Sequence, residues 1–176
     1  MQCEAWLLAC HIESAIHAMS DLFHQEDPEA VLLVDADNAF NRLNRKAALH
    51  NIGVVCPSFF KILKNTYNAA AQLFVQGEVI LSQEGITQGD PLAMPMYALG
   101  IIPLTRELCR SNVTQAWFAD DANGAGKLKR VRTWWDLLNE RGPEYGYFPK
   151  AAKTCLLVKD SVLDDAKKSL EDQGCK

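Results

Sequence analysis

One segment limits the fold more than any other. Ala30–Val34 reads AVLLV, a continuous apolar run, and it stops at Asp35. Five apolar residues without alternation describe a strand covered on both faces. A carboxylate at the end of such a strand is costly unless paired, hydrogen-bonded or metal-bound. The chain must therefore build a sheet with this run inside it and give Asp35 a partner. A second run has a similar form. Thr114–Phe118 leads through Ala119 into adjacent Asp120 and Asp121, and the small residues that follow permit a tight turn. Taken alone, Asp120-Asp121 also reads as a plain hairpin turn, and Asp35 as a strand-ending cap.

Composition narrows the class. The chain has 176 residues, 48% apolar and 23% charged, an ordinary globular balance. Such a chain is not a disordered tail, a collagen-like fibre or a low-complexity linker. Its apolar runs are far too short to span a bilayer. No secretory signal is legible, because Glu4, His11 and Glu13 interrupt the early apolar stretch. Cys3, Cys10, Cys56, Cys109, Cys155 and Cys175 are scattered without a C-x-x-C pair. They read as reduced, mostly buried thiols of an intracellular protein, cytoplasmic or nuclear. A net charge of −4 argues against nucleic-acid binding driven by bulk electrostatics. The charge is uneven: residues 1–41 hold eight acids and no Lys or Arg.

Periodicity gives a coarse order of elements. Residues 3–23 predict an amphipathic helix, with Trp6, Ile12, Ile16, Met19 and Phe23 at three- and four-residue steps. His17, Asp21 and His24 share a face of it, more simply read as solvated than as metal ligands. Asp27-Pro28 signals a turn. Asn44 caps a helix over 45–51 that Gly53 ends, and Pro57 starts another reaching about Tyr67. Residues 72–75 and 79–82 form a hairpin. A helix opens at Asp90 or Pro91 and reaches about Cys109. Residues 127–140 are helical, 154–158 a last strand, and 160–175 a charged terminal helix.

A third segment bears on the two aspartate runs. SQEGITQGDPLAMPMYALGI places Gly85, Gln88, Gly89 and Pro91 between a strand and a long apolar helix. In isolation it is a βα loop. In order, LLVDADNAF, GITQGDPLAMPMYAL, WFADDANGAG and YGYFPKAAKTCLLV resemble motifs A to D of the reverse transcriptase family. The likeness is strongest to the polymerases of non-LTR retrotransposons and covers about residues 30–159.

The resemblance implies a function and a set of roles. It implies RNA-directed DNA synthesis by nucleotidyl transfer, using two Mg²⁺ ions or Mn²⁺, on an RNA template with a DNA primer and deoxynucleoside triphosphates. Asp35 and Asp120 match the principal metal ligands, and Asp121 the second acid of the pair. Phe40 matches the gate that excludes a ribose 2′-hydroxyl. Gln88, Gly89 and Pro91 match the loop supporting nucleotide and template. Lys153 matches a proton donor to the pyrophosphate leaving group, with Lys150 a nearby competitor. Asp37 and Asp90 depart from the family pattern and add charge near the site.

The fold expected is α+β, a polymerase palm-like antiparallel sheet packed against helices, with fingers and thumb largely missing. Residues 1–29 would be a helical lead-in, 30–159 the palm and 160–176 a helical extension. Val31–Val34 should pair with the hairpin carrying Asp120, bringing the Asp35 and Asp120 carboxylates within about 4–6 Å, close enough to share divalent ions. The alternative function is a catalytically inactive palm remnant that serves folding or binding. A phospho-acceptor domain with three aspartates would leave Phe40, Gln88-Gly89 and Lys153 unexplained.

Overall fold

The computed structural model describes residues 5–7 and 12–170. The first half contains β1 (Ala5–Leu7), α1 (Ile12–His24), β2 (Ala30–Val34), α2 (Ala39–Arg42), α3 (Arg45–Val55) and α4 (Pro57–Tyr67). Next come β3 (Ala71–Val75), β4 (Glu78–Ser82) and α5 (Ala93–Leu108). The second half contains β5 (Thr114–Phe118), β6 (Asp121–Gly126), α6 (Leu128–Tyr145), β7 (Cys155–Val158) and α7 (Leu163–Leu170).

The AVLLV run is an interior strand, as its lack of alternation demands. The sheet order is β1-β5-β6-β2-β7, with β2 antiparallel to β6 on one side and to β7 on the other. β5, β6, β2 and β7 form a four-stranded antiparallel sheet, and β1 adds a parallel edge beside β5. Leu32, Val34, Trp117 and Ala122 face a large core under α5 and α6, where Trp134, Trp135, Leu104 and Ile101 are fully buried. Gln115 is buried in the same core and fully used. Its amide nitrogen donates to the Thr105 carbonyl at 3.0 Å, and its oxygen accepts from the Trp117 and Trp134 indoles. Val31, Ala116 and Ala125 face the other way, and Ala15 and Met19 of α1 bury against them. The architecture is thus α+β, an antiparallel sheet packed against helices.

Several local expectations need correction. Ala5–Leu7 is a strand rather than part of a helix, because the free edge of β5 offers it a full ladder. The rest of that expected helix before Ile12 lies outside the described residues. α3 runs through Gly53 to Val55, since the burial of Ile52 and Leu49 outweighs the modest helix penalty of glycine. Pro57 is what separates it from α4. α5 begins at Ala93, two residues after Pro91. α6 continues past Glu140 to Tyr145, where Gly146 adopts a left-handed cap. The terminal segment opens with a 3₁₀ turn at Asp160–Val162, and residues 171–176 lie outside the description. Cys56, Cys109 and Cys155 are not fully buried, and Cys155 is exposed. Among the described residues no helix is long and apolar enough to cross a membrane.

β3 and β4 stand apart as a two-stranded sheet, with Phe74 75% exposed. Buried Arg45 anchors its base. The guanidinium donates to the carbonyls of Gly85 (2.9 Å), Ser82 (3.0 Å) and Glu84 (2.9 Å). A planar fork with five donors can hold several carbonyls at once, which a lysine cannot do.

The single turn α2 is gripped from two sides. From the β4–α5 loop, the Gly85 amide donates to Leu43 O at 3.0 Å and the Ile86 amide to Phe40 O at 2.8 Å. From the end of α6, the Tyr145 carbonyl accepts from the Asn44 amide at 3.0 Å. Gly146 has φ +80, and a Cβ there would collide with the backbone of Arg42, Leu43 and Asn44, all under 3.0 Å. Gly146→Ala therefore loses at least about 3 kcal/mol of unfolding free energy in denaturant titration. Gly77→Ala, also at positive φ but in open space, loses only about 1 kcal/mol. Equal losses at both positions would mean that the grip is slack.

Candidate active site

The three aspartates gather at one end of the sheet because three strand ends meet there. Asp35 follows Val34, the last β2 residue paired with β6 (Val34↔Ala122). Asp121 is the first residue of β6, opposite Phe118. Ala119 and Asp120 form the intervening turn, and Ala119 is left-handed at φ 52. A non-glycine residue there is strained, and such strain collects at functional sites. Along β2 and β6 the alternation puts Val31, Leu33 and Asp35 on one face with Asp121 and Asn123. This is the face that α1 partly roofs. Between α1 and β7 a groove of about 520 Å³ runs from Met19 and Phe23 past Leu33 and Leu157 to Asp35, Asp121 and Lys153.

Backbone pairing decides which lysine reaches the acids. The Asp37 amide donates to Phe148 O at 2.8 Å, and the Lys150 amide to Asp35 O at 2.9 Å. The 3₁₀ turn Ala151–Lys153 then brings Lys153 Nζ to 2.9 Å from Asp35 Oδ2. Lys150 Nζ goes instead to Asp37 Oδ1 at 3.1 Å, and Arg42 holds the other oxygen of Asp37 at 2.8 Å. Asp37 is thus a surface ion-pair residue, held below the usual carboxylate range first by the Lys150 hydrogen bond and then by that of Arg42.

Asp121 feels the charges of Asp120, Asp35 and Lys153. Loss of hydration raises the Asp121 pKa, and the charges of Asp120 and Asp35 raise it further, while Lys153 opposes them. The hydrogen bond to Asp35, then its charge, raises the Lys153 pKa. The donor set is entirely carboxylate oxygen. Among the described residues no three acidic, histidine or cysteine side chains form a ready-made metal cage. That includes His17, Asp21 and His24, where His24 Nδ1 lies 2.7 Å from the Ser20 carbonyl oxygen.

Asp120 and the remaining residues singled out by the sequence do not line the groove. Phe40 is half-buried and stacks on Tyr97, with ring centroids 4.8 Å apart. Gln88, Gly89 and Pro91 are exposed on the loop before α5. That loop is pinned from behind. Asp90 accepts from the Tyr67 hydroxyl and, at 2.8 Å, from the Leu92 amide. These bonds hold Asp90 below its ordinary range, while burial and then Asp90 push Tyr67 up to about 12. Periodicity in the sequence gave Tyr67, Tyr97, Tyr147 and Arg45 no special standing. Each is a core-facing residue whose polar end matters only once distant segments meet it. Tyr147, fully buried, donates its hydroxyl to the Asp120 carbonyl at 2.9 Å and so braces the turn.

No protein-family model matches the chain, and no curated protein matches it. Solved structures do. The chain is similar to the apo telomerase of Candida tropicalis at TM-score 0.65 and 12% identity, over 85% of this chain and 32% of that one. It is similar to the telomerase of Candida albicans in complex with a TWJ fragment of telomeric RNA, at TM-score 0.67 and 12% identity, over 86% and 32%. A Candida tropicalis telomerase truncated from its C-terminal domain gives 0.65 and 13%, over 89% and 36%. The chain spans about a third of the length of these proteins. The likeness is one of fold: an antiparallel sheet packed against helices.

The raised pKa of Asp121 has a stability consequence. Its ordinary value is 3.8, and the folded state holds the proton to higher pH. Stability is therefore lost as pH rises from below 3.8 through the raised value. Asp121→Asn removes that loss. The variant should melt above the wild type at pH 7, and the gap should close as pH falls toward 3.8. A variant that melts lower at pH 7 would mean that attraction to Lys153 dominates.

Proposed function

We propose that this chain is the palm of an RNA-directed DNA polymerase of the non-LTR retrotransposon type. The observation that carries the reading is the convergence of Asp35, Asp121 and Lys153 on one groove, in a fold shared with part of telomerase. Motif order adds to it: the loop with Gln88, Gly89 and Pro91 docks on the turn carrying Phe40 through the Ile86–Phe40 bond.

The donor set fits a hard divalent cation. The charges of Asp120 and Asp35 raise the proton affinity of Asp121, a repulsion that positive charge relieves, and Mg²⁺ binds through one or two carboxylates plus substrate phosphates. A ready-made cage is therefore not needed, and the ions would arrive with the triphosphate. Asp35, Asp120 and Asp121 would hold them. When bound, two Mg²⁺ ions, or Mn²⁺, supply the charge that favours the attacking hydroxyl and the departing pyrophosphate.

The chain's own groups do the rest. Lys153 carries a proton at Nζ that can pass to the pyrophosphate oxygen as the bond to the α-phosphorus breaks. It must first part from Asp35. Phe40 fills the space that a 2′-hydroxyl would need, with Tyr97 beneath it. Gln88 and Gly89 present an exposed loop to nucleotide and template, and Asp90 fixes that loop through Tyr67. The partners are an RNA template, a DNA primer and deoxynucleoside triphosphates.

One observation favours the second reading, a non-catalytic palm remnant. α1 covers part of the acid-bearing face, and its exposed Glu13 and Asp21 would repel a phosphate backbone. Primer extension on an RNA template separates the two. The polymerase reading expects slow, distributive, Mn²⁺- or Mg²⁺-dependent extension by this chain, abolished by Asp120→Asn. The remnant reading expects neither extension nor a Mn²⁺ response that Asp35→Asn removes.

A further inference from the structure

Lys153 donates to Asp35 Oδ2 at 2.9 Å. A carboxylate oxygen held by an ammonium has less acceptor capacity to offer a divalent cation. An ammonium and a metal ion on the same carboxylate would also repel each other. The other two bases nearby do not compete for Asp35, because Lys150 and Arg42 are both spent on Asp37. The root of Lys153 is fixed by backbone. The Lys150 amide donates to the Asp35 carbonyl at 2.9 Å, and the Lys153 amide to the Lys150 carbonyl at 2.9 Å. Its head, in contrast, is free to leave. The side chains of Lys153 and Asp35 are 57% and 35% exposed, so neither charge is stranded in the core when they part. Such a pair is weak, unlike a buried one. The flexible four-carbon stem has room to swing, since Lys153 lines the same groove as Asp121, Cys155 and Leu157.

We propose that Lys153 is a built-in stand-in for the cation: its ammonium occupies Asp35 until a divalent ion takes that carboxylate, and this exchange is what frees the lysine to face phosphate. The inference rests on the reading of the site as a metal-dependent nucleotidyl-transfer centre. It adds an order of events to that reading. While the pair is closed, Asp35 is partly neutralised and Nζ is turned to a carboxylate rather than to a leaving group. When Lys153 gives up Asp35, its tethered root keeps the ammonium beside the acids, where an arriving triphosphate is the next anion within reach. The proton donor is therefore withdrawn until the charge that the reaction needs is in place.

Lys153→Met in the full chain keeps most of the stem and deletes the charge, and Lys150→Met removes a neighbouring charge that holds Asp37 instead. Mn²⁺ titrations of the wild type and both variants read the competition. Lys153→Met should bind Mn²⁺ about fivefold more tightly, and Lys150→Met should stay within about twofold of the wild type. Acylation of the Lys153 amine in the wild type, followed by mass spectrometry, reads the release: saturating Mn²⁺ should raise the labelling rate severalfold. Unchanged Mn²⁺ affinity in Lys153→Met overturns the inference, as does an equal gain in Lys150→Met, which would reduce the effect to general charge. Labelling that ignores Mn²⁺ also overturns it. In each of these cases, loss of Mn²⁺ binding in Asp35→Asn leaves the reading of the site standing. A wild type that does not bind Mn²⁺ defeats the site reading and this inference together.

Discussion

Backbone contact on the four-residue turn after β2 holds the site in place. That turn carries Phe40 and follows directly from Asp35. It has little stability of its own, since one helical turn fixes several dihedrals for a single hydrogen bond. Its position comes from two glycine-containing segments pressed against it, one from the β4–α5 loop and one from the cap of α6. Neither segment could approach so closely with a side chain. The β4–α5 loop is in turn fastened by Arg45 and by the Tyr67–Asp90 bond. Asp35, Phe40 and the β4–α5 loop are therefore one mechanical unit, assembled from four separate stretches of chain.

Much of this was legible in the sequence where a local signal was strong. AVLLV without alternation specified an interior strand, and the run into Asp120-Asp121 specified a hairpin. The match of these segments, with the Gln88-Gly89 loop, to an ordered motif series pointed to a palm-like sheet. β1 was not legible: three residues embedded in a helical periodicity became a strand because an unpaired edge was available. Residue pattern alone left Lys150 and Lys153 as competitors, and only the family resemblance favoured Lys153. A short 3₁₀ turn and the pairing of Asp35 with Lys150 decide it. Gln115 reads as an interruption of an apolar strand, yet it binds two indoles and a carbonyl. Only the meeting of β5 with α5 and α6 gives it that role.

The site is a place where stability is lost rather than gained. Asp120 and Asp35 repel Asp121, Ala119 sits at a left-handed angle, and a tyrosine hydroxyl goes unbonded. Each would be relieved by a simple substitution that leaves the fold intact. Opposing these penalties are the large core beneath the sheet and the bracing of the turn by Tyr147. Strain retained against easy alternatives is the usual mark of a surface shaped by use rather than by folding alone.

The central position of β2 has a consequence for how the molecule comes into being. Its two hydrogen-bonding edges are met by β6 and β7, both made long after it during synthesis. Until residues 121–126 and 155–158 leave the ribosome, AVLLV is an apolar strand open on both sides. Such segments pair readily with strangers. Contacts this distant in sequence also close slowly. Chains halted between β2 and β6 are thus the species most exposed to aggregation, and the ones with the strongest call on a chaperone.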